Sequence, residues 1–188
     1  MLRQDAYDLI DLLLDKADQP YFIDSEKDMF LMQSVVSFIN NHYAMYGQRQ
    51  VSRDALQSFV TSSSETSLTD YVHILNCTVG SKSVKIVSEE EFSDSQTTSD
   101  PFNKASDSNI KGTVRNNTLE LTTSDTGVNV VYIQMPSIDD VFPISSEGNF
   151  AELHQREVID IAIRKMTGNI ESPNVQYQQI EAEQSKSI

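Results

Sequence analysis

The chain has one cysteine, Cys77, so no internal disulfide forms, which fits a reducing compartment, and thiolate zinc sites are excluded. Glycine is scarce, at six residues, and no two stand at the spacing of a Walker or Rossmann phosphate loop. Basic residues are few: 14 Lys and Arg face 28 Asp and Glu, a formal net charge of −14, and the cations are scattered. Such a surface repels nucleic acid. The apolar fraction is 38%, against about 45–50% in ordinary globular chains. A modest core follows, with part of the stability expected from partners. No apolar run approaches the roughly 20 residues that span a bilayer, so no membrane is expected. Met1–Asp5 lacks the charge pattern of a signal peptide, which predicts a soluble protein made in a cytoplasm. At 188 residues, one domain, or one domain carrying a smaller insertion, is expected.

What is present begins with helices. Ala6, Leu9, Ile10, Leu13 and Ala17 recur at spacings of three and four, predicting a first helix over about residues 2–17, with Asp5, Asp8, Asp11 and Asp15 opposite. Gln19-Pro20 stops it. A second helix opens at Asp24 or Ser25 and ends at Gly47. Met29, Met32, Val36, Ile39 and Tyr43 form one stripe, widened by Leu31, Val35, Phe38 and Tyr46, so burial over more than half its girth is expected. These two helices read as an antiparallel pair. A short helix over about Arg53 to Val60 follows, capped by Ser52, and Thr61–Ser67 reads as a polar linker.

From Tyr71 to Met135 the texture is β. Strands are expected over Tyr71–Val79 and Ser83–Val87, then one helical turn from Ser88 to Phe92 and a long polar loop over 93–109. Lys111–Arg115 and Thr118–Thr122 flank Asn116-Asn117 as a hairpin. Val128–Ile133 completes about five strands in meander order, an antiparallel sheet. A last helix runs from near Asn149 to Gly168 with Leu153, Ile159, Ala162, Ile163 and Met166 inward. After it, Ser172–Ile180 reads as a detached arm whose Ser172-Pro173 opens one further short helix. The fold class is therefore α+β. Residues 1–60 form an N-terminal helical part, 68–136 an inserted antiparallel β domain, 149–168 a C-terminal helix completing the helical part, and 169–188 an extended arm.

No nucleophile, base and oxyanion hole come together, so no catalytic, cofactor-binding or metal residue is assigned and the chain does not read as an enzyme. His42, His73 and His154 lie on a helix, a strand and a helix; a metal or proton-transfer site needs the fold to gather them. Glu89-Glu90-Glu91 reads as a solvated first turn of a helix, and Asp139-Asp140 lacks the further oxygen ligands of a calcium loop. Asn76-Cys77-Thr78 and Asn116-Asn117-Thr118 are chance matches to the glycosylation sequon. The polar C-terminal arm, with Ser172, Pro173, Val175, Tyr177 and Ile180, is the expected partner interface, because a segment too polar to build a core and too short to fold alone is expected to lie on a neighbour.

Several stretches, in their order, resemble the head-to-tail connector proteins (adaptors or rings) of short-tailed double-stranded DNA phages, with the ring proteins of crAss-like phages nearest in likeness. Pro20-Tyr21-Phe22 followed by Glu26–Phe30 resembles the family's helix, link and second helix. Leu68–Leu75, with Asp70-Tyr71, is similar to its entry into the sheet, although Thr69 stands where the family often has Pro. Asp100-Pro101-Phe102 resembles the Asp-Pro-Phe before the later strands, without the prolines that often follow. Val131–Pro136, with Tyr132 and Pro136, looks like the segment closing the sheet. His154–Ala162 and Ser172–Tyr177 resemble the following helix and arm.

The resemblance implies a structural part of the virion at the head–tail interface, assembled in a bacterial cytoplasm. It implies a ring, commonly of twelve copies, docked to the portal protein and to a neighbouring ring or tail protein. Double-stranded DNA passes through without specific binding, which suits an acidic chain because carboxylate and phosphate repel. The alternatives are a tail-tube gatekeeper or second ring further from the portal, and an acidic cytosolic module that captures a basic protein.

Overall fold

The computed structural model describes residues 1–15, 22–100, 102–124, 127–145 and 148–184, without the side chains of 15 and 169–184. The chain divides into a helical unit, Met1–Ser58 with Pro136–Ile188, and a β unit, Phe59–Met135.

The helical unit comprises α1 (Arg3–Asp15), α2 (Asp24–Ala44), α3 (Gln50–Leu56), the four-residue α5 (Ile138–Val141) and α6 (Glu152–Gln184). The Leu2 N–H donates to Asp5 Oδ2 at 2.9 Å, satisfying one free donor at the start of α1. α1 buries Ala6, Tyr7, Ile10 and Leu14, a face rotated from the expected one, and leaves Leu9 and Leu13 only half-buried. α2 starts with its Glu26 carboxylate accepting from the Ile23 N–H at 3.0 Å. Its buried face is Lys27, Phe30, Leu31, Ser34, Val35, Phe38 and Ile39. Both α1 and α2 pack on α6, which buries Gln155, Val158, Ile159, Ala162 and Met166. The expected α1–α2 pair is thus a pair around a third helix, joined directly by polar contacts described below. Leu153, expected inward on α6, is 74% exposed because it stands about half a turn from Gln155, Val158 and Ile159. Ser137 and Asp140 form a reciprocal cap on α5: the Ser137 N–H donates to Asp140 Oδ2 at 2.8 Å and the Asp140 N–H to Ser137 Oγ at 3.3 Å.

The β unit holds β1 (Val60–Ser63), β2 (Tyr71–Val79), β3 (Lys82–Ile86), α4 (Glu89–Thr97), β4 (Ile110–Arg115), β5 (Thr118–Leu121) and β6 (Val128–Gln134). The sheet is mixed and six-stranded, in the order β1-β6-β2-β3-β4-β5, rather than a five-stranded antiparallel meander. β3 and β4 pair in parallel, Val84 opposite Ile110, because the connection over 87–109 is long enough to cross over the sheet. That connection is not all loop: Ser88 Oγ accepts from the Glu91 N–H, and buried Phe92 and Ser95 carry α4 on to Thr97. The hairpin at Asn116-Asn117 forms, with φ of 50° and 60°, as the left-handed turn favoured by Asn requires.

The polar stretch Thr61–Ser67, expected as a linker, is part of the sheet instead. Val60–Ser63 pairs with β6. A few residues on, Leu68 N–H donates to Asn117 O and Leu119 N–H to Thr66 O, both at 2.8 Å, with Ser67 bridged to Thr118. One bent segment therefore pairs with both ends of the strand order and closes the sheet on itself. Closure removes the exposed ladder that otherwise invites strand addition. The interior is filled by Leu68, Cys77, Val79, Val84, Ile110, Leu119, Val130 and Tyr132.

Gly112 on β4, opposite Ile86 of β3 and Leu121 of β5, has little room for a side chain. A Cβ there would lie 3.0 Å from Leu121 Cδ2 and 3.1 Å from Val84 Cγ1. Gly112→Val is expected to cost about 1–3 kcal/mol through overpacking, read as a lower urea midpoint of the β unit. An unchanged midpoint would mean that the neighbours move aside freely.

Candidate assembly surface

At 100° per residue, Met29, Met32, Val36 and Tyr43 fall within about 60° of one another on α2. They belong to the stripe that periodicity assigns to the core; its Ile39 is fully buried, whereas Met29 and Val36 face outward. Met29 is 49% and Val36 37% exposed, and Met32 is half-buried. Tyr43, half-buried and engaged within its own chain, lies next on the same line. The core is filled mainly by the opposite arc, and the outward line is uncharged but mixed, with Met29, Gln33, Val36 and Asn40 all exposed. The overlooked sign in the sequence is that no Asp, Glu, Lys or Arg occurs from Met29 to Gln48, in a chain that is 22% charged. One buried face does not require that.

The charges beside this face are held within the chain. Asp28 Oδ1 accepts from the Tyr7 hydroxyl at 2.6 Å, and the Arg3 guanidinium approaches Asp28 at 3.9 Å while also pairing with Asp139. Burial, and then the bond to Asp28, push the Tyr7 phenol well above its ordinary pKa. On the other flank, Lys165 Nζ of α6 donates to Gln33 O at 2.6 Å and to Ser37 Oγ at 2.8 Å, and burial lowers its pKa. Lys27, buried on the inner side, donates to Asp11 Oδ2 at 2.7 Å.

Two of the three histidines meet. The rings of His42 and His154 lie 6.3 Å apart, packed with Phe38, and His42 Nε2 is 3.3 Å from Glu157 Oε1. His73 belongs to β2 in the other unit. Among the described residues no group of three or more His, Cys, Asp or Glu is placed to hold a metal ion. Burial raises the Cys77 thiol to about 11, so it is protonated at neutral pH and a poor nucleophile.

The glutamates at the start of α4 do more than solvate a helix end. Glu91 Oε1 accepts from Lys85 Nζ at 3.0 Å and from the buried Lys111 Nζ at 3.1 Å, tying α4 to β3 and β4. Glu89 accepts from Arg115 Nε at 3.2 Å. The bonds from Lys85 and Lys111 hold the Glu91 carboxyl below its ordinary pKa. Its folded pKa is depressed, so the unfolded state takes up the proton first. The stabilisation is present above the ordinary carboxylate value and is lost as pH falls through the folded one. The β unit is expected to lose midpoint on acidification below about pH 4, and Glu91→Gln to flatten that part of the curve. An identical acid limb in the variant would show that Glu91 does not contribute to it.

The residues carrying the family resemblance fall at structural joints. Phe22 is half-buried with its ring 5.5 Å from Phe30, edge to face. Asp70 adopts φ 48° and its carbonyl accepts from the Met135 N–H at 2.7 Å, pinning the start of β2 beside the end of β6. Tyr71 opens β2 opposite Gln134, and Tyr132 is buried in the barrel interior. Pro136 is buried where the chain returns to the helical unit. Phe102 is 89% exposed on a loop held by Asp100, whose Oδ1 accepts from the Phe102 N–H and Oδ2 from Asn103 Nδ2. Pro20 and Pro101 lie outside the described residues.

The arm is corrected in one respect. α6 does not stop at Gly168; its backbone is helical to Gln184, so Ser172, Pro173, Val175, Tyr177 and Ile180 lie on a continuation of α6 rather than on a detached arm, their side chains outside the described residues. Gly168 reads as a stop and Ser172-Pro173 as the opening of a separate short helix, but strong helix formers follow: Gln176, Gln178, Gln179, Glu181, Ala182, Glu183 and Gln184. No protein-family model matches the chain, and no curated protein matches it.

Proposed function

We propose that the chain is a ring-forming structural subunit of a tailed-phage head-to-tail connector, docking on the portal and extending the DNA channel. The observation that carries the reading is the plan of the chain. A closed barrel, Phe59–Met135, is inserted into a helical unit, and the family-like pairs Asp70-Tyr71 and Tyr132–Pro136 stand at its entry and exit. Two further features support it. The helical unit exposes an uncharged face on α2 that includes Met29 and Val36, and the net charge of −14 suits a passage that DNA traverses without sticking. Ring formation makes up for a modest core by mass action.

The test is electron microscopy of the protein co-expressed with its cognate portal. A stacked ring of rotational symmetry on the portal is the expected result. A bare portal with the protein left free would turn the reading to a more distal ring or gatekeeper, and failure to join tail components as well would favour the acidic binding module. Deleting Ser172–Ile188 is expected to leave the remainder folded by circular dichroism and to abolish docking. A truncated chain that still joins the portal would remove the C-terminal segment from the interface.

A further inference from the structure

We infer that the outer face of α2, centred on Met29, Met32 and Val36, is a seat for a second copy of this chain. The inference deepens the ring reading and rests on it only for the closure of the assembly.

Charge chooses the occupant. Two copies each carry a formal −14, so any acidic surface turned toward a neighbour is repelled. The α2 face offers little such repulsion, since Met29–Gln48 holds no Asp, Glu, Lys or Arg. A basic partner would gain nothing there; it would be drawn to carboxylates such as the exposed Asp5 and Asp8 of α1. The flanking charges do not interfere, because Asp28 is bonded to Tyr7 and Lys165 to Gln33 and Ser37. Arriving atoms therefore meet methionine, valine and the amides of Gln33 and Asn40 without having to desolvate a free ion. Methionine adapts its shape to a neighbour at little cost.

Size sets the strength. The line from Met29 to Tyr43 is about 21 Å long at 1.5 Å per residue and roughly 10 Å wide. That is a few hundred Å², below the about 800 Å² per partner of a standard interface. Two free copies should associate weakly, and closure of a ring, which holds every copy at two faces, should multiply the effect.

The test uses the full chain in sedimentation velocity over a concentration series reaching about 1 mM, for the wild type, Met32→Glu and Val36→Glu. Circular dichroism and thermal midpoint serve as fold controls. The expected result is concentration-dependent association in the wild type, weakened about ten-fold or more by either glutamate, with the midpoint unchanged. A photocrosslinking residue at position 36 gives a second readout that does not depend on a charged variant folding; the expected product is a covalent dimer. A crosslink from position 36 to α2 of the other copy would establish the seat but argue against a ring, because it marks a two-fold contact. A crosslink to any other segment would support both. A wild type monomeric throughout with no crosslinked dimer, or a Val36→Glu chain that associates like the wild type, overturns the seat and leaves the portal experiment to judge the ring separately.

Discussion

Phe38→Ala is expected to remove about 3–5 kcal/mol from the stability of the helical unit, the usual cost of deleting a fully buried phenylalanine. Phe38 has no exposed surface and sits where α2 meets α6. Its ring lies 4.4 Å from His42, 5.6 Å from Phe150 and 5.7 Å from His154 by centroid, the Phe150 contact edge to face. Alanine leaves a cavity among these rings. It also withdraws the apolar wall against which two imidazoles pack, one of them with a buried Nδ1 that has no hydrogen-bond partner. Urea unfolding followed by far-UV circular dichroism measures the loss. The transition of the helical unit should move to markedly lower urea and that of the β unit should not. A shift of less than about 1 kcal/mol would mean that the cluster is not packed as described.

The contrast between Phe38 and Val36 shows why part of the fold was legible in the sequence and part was not. Both lie on one helix, both are apolar, and periodicity placed both on the core side. An α-helix whose apolar residues spread over more than half its girth has no sharply preferred direction, so its pattern predicts burial without fixing which arc is buried. The arc was chosen by neighbours that single-helix periodicity does not report: α6, and the contacts of Tyr7, Asp11, Lys27 and Asp28. In the β unit the Asn116-Asn117 hairpin was readable because two adjacent left-handed residues have a strong local signature. β1 was not, since Thr61, Ser62 and Ser63 look like linker and are held in the sheet by backbone pairing to β6, which is blind to side-chain polarity. The parallel β3–β4 pair was hidden in the same way, because pairing across a connection of this length leaves no mark in either strand. As for the assembly surface, the absence of charge from Met29 to Gln48 was visible throughout. Its meaning needed the knowledge that only half of that girth is buried.

The second large effect is expected at the ion pair beneath α2. Lys27 is almost fully buried, its Nζ 2.7 Å from Asp11 Oδ2, 3.7 Å from Asp24 Oδ1 and 5.3 Å from the centre of the Tyr7 ring. Asp24 is largely exposed and too distant to take over, and the attraction of the Tyr7 ring is worth only about 1–2 kcal/mol. Asp11→Ala therefore leaves an ammonium in a poorly solvated site, which should destabilise the helical unit by about 3 kcal/mol. Removing both charges is a different experiment. Asp11→Leu with Lys27→Met replaces the pair by apolar groups of similar length, and buried pairs exchanged in this way typically cost little or nothing. The double variant should thus be more stable than Asp11→Ala alone, a non-additivity that separates the cost of a stranded charge from the net worth of the pair. Asp11 Oδ1 is itself buried and has no hydrogen-bond partner, which tilts the balance further toward the apolar replacement. A double variant as unstable as Asp11→Ala would show that the pair itself, rather than the relief of a buried charge, joins α1 to α2.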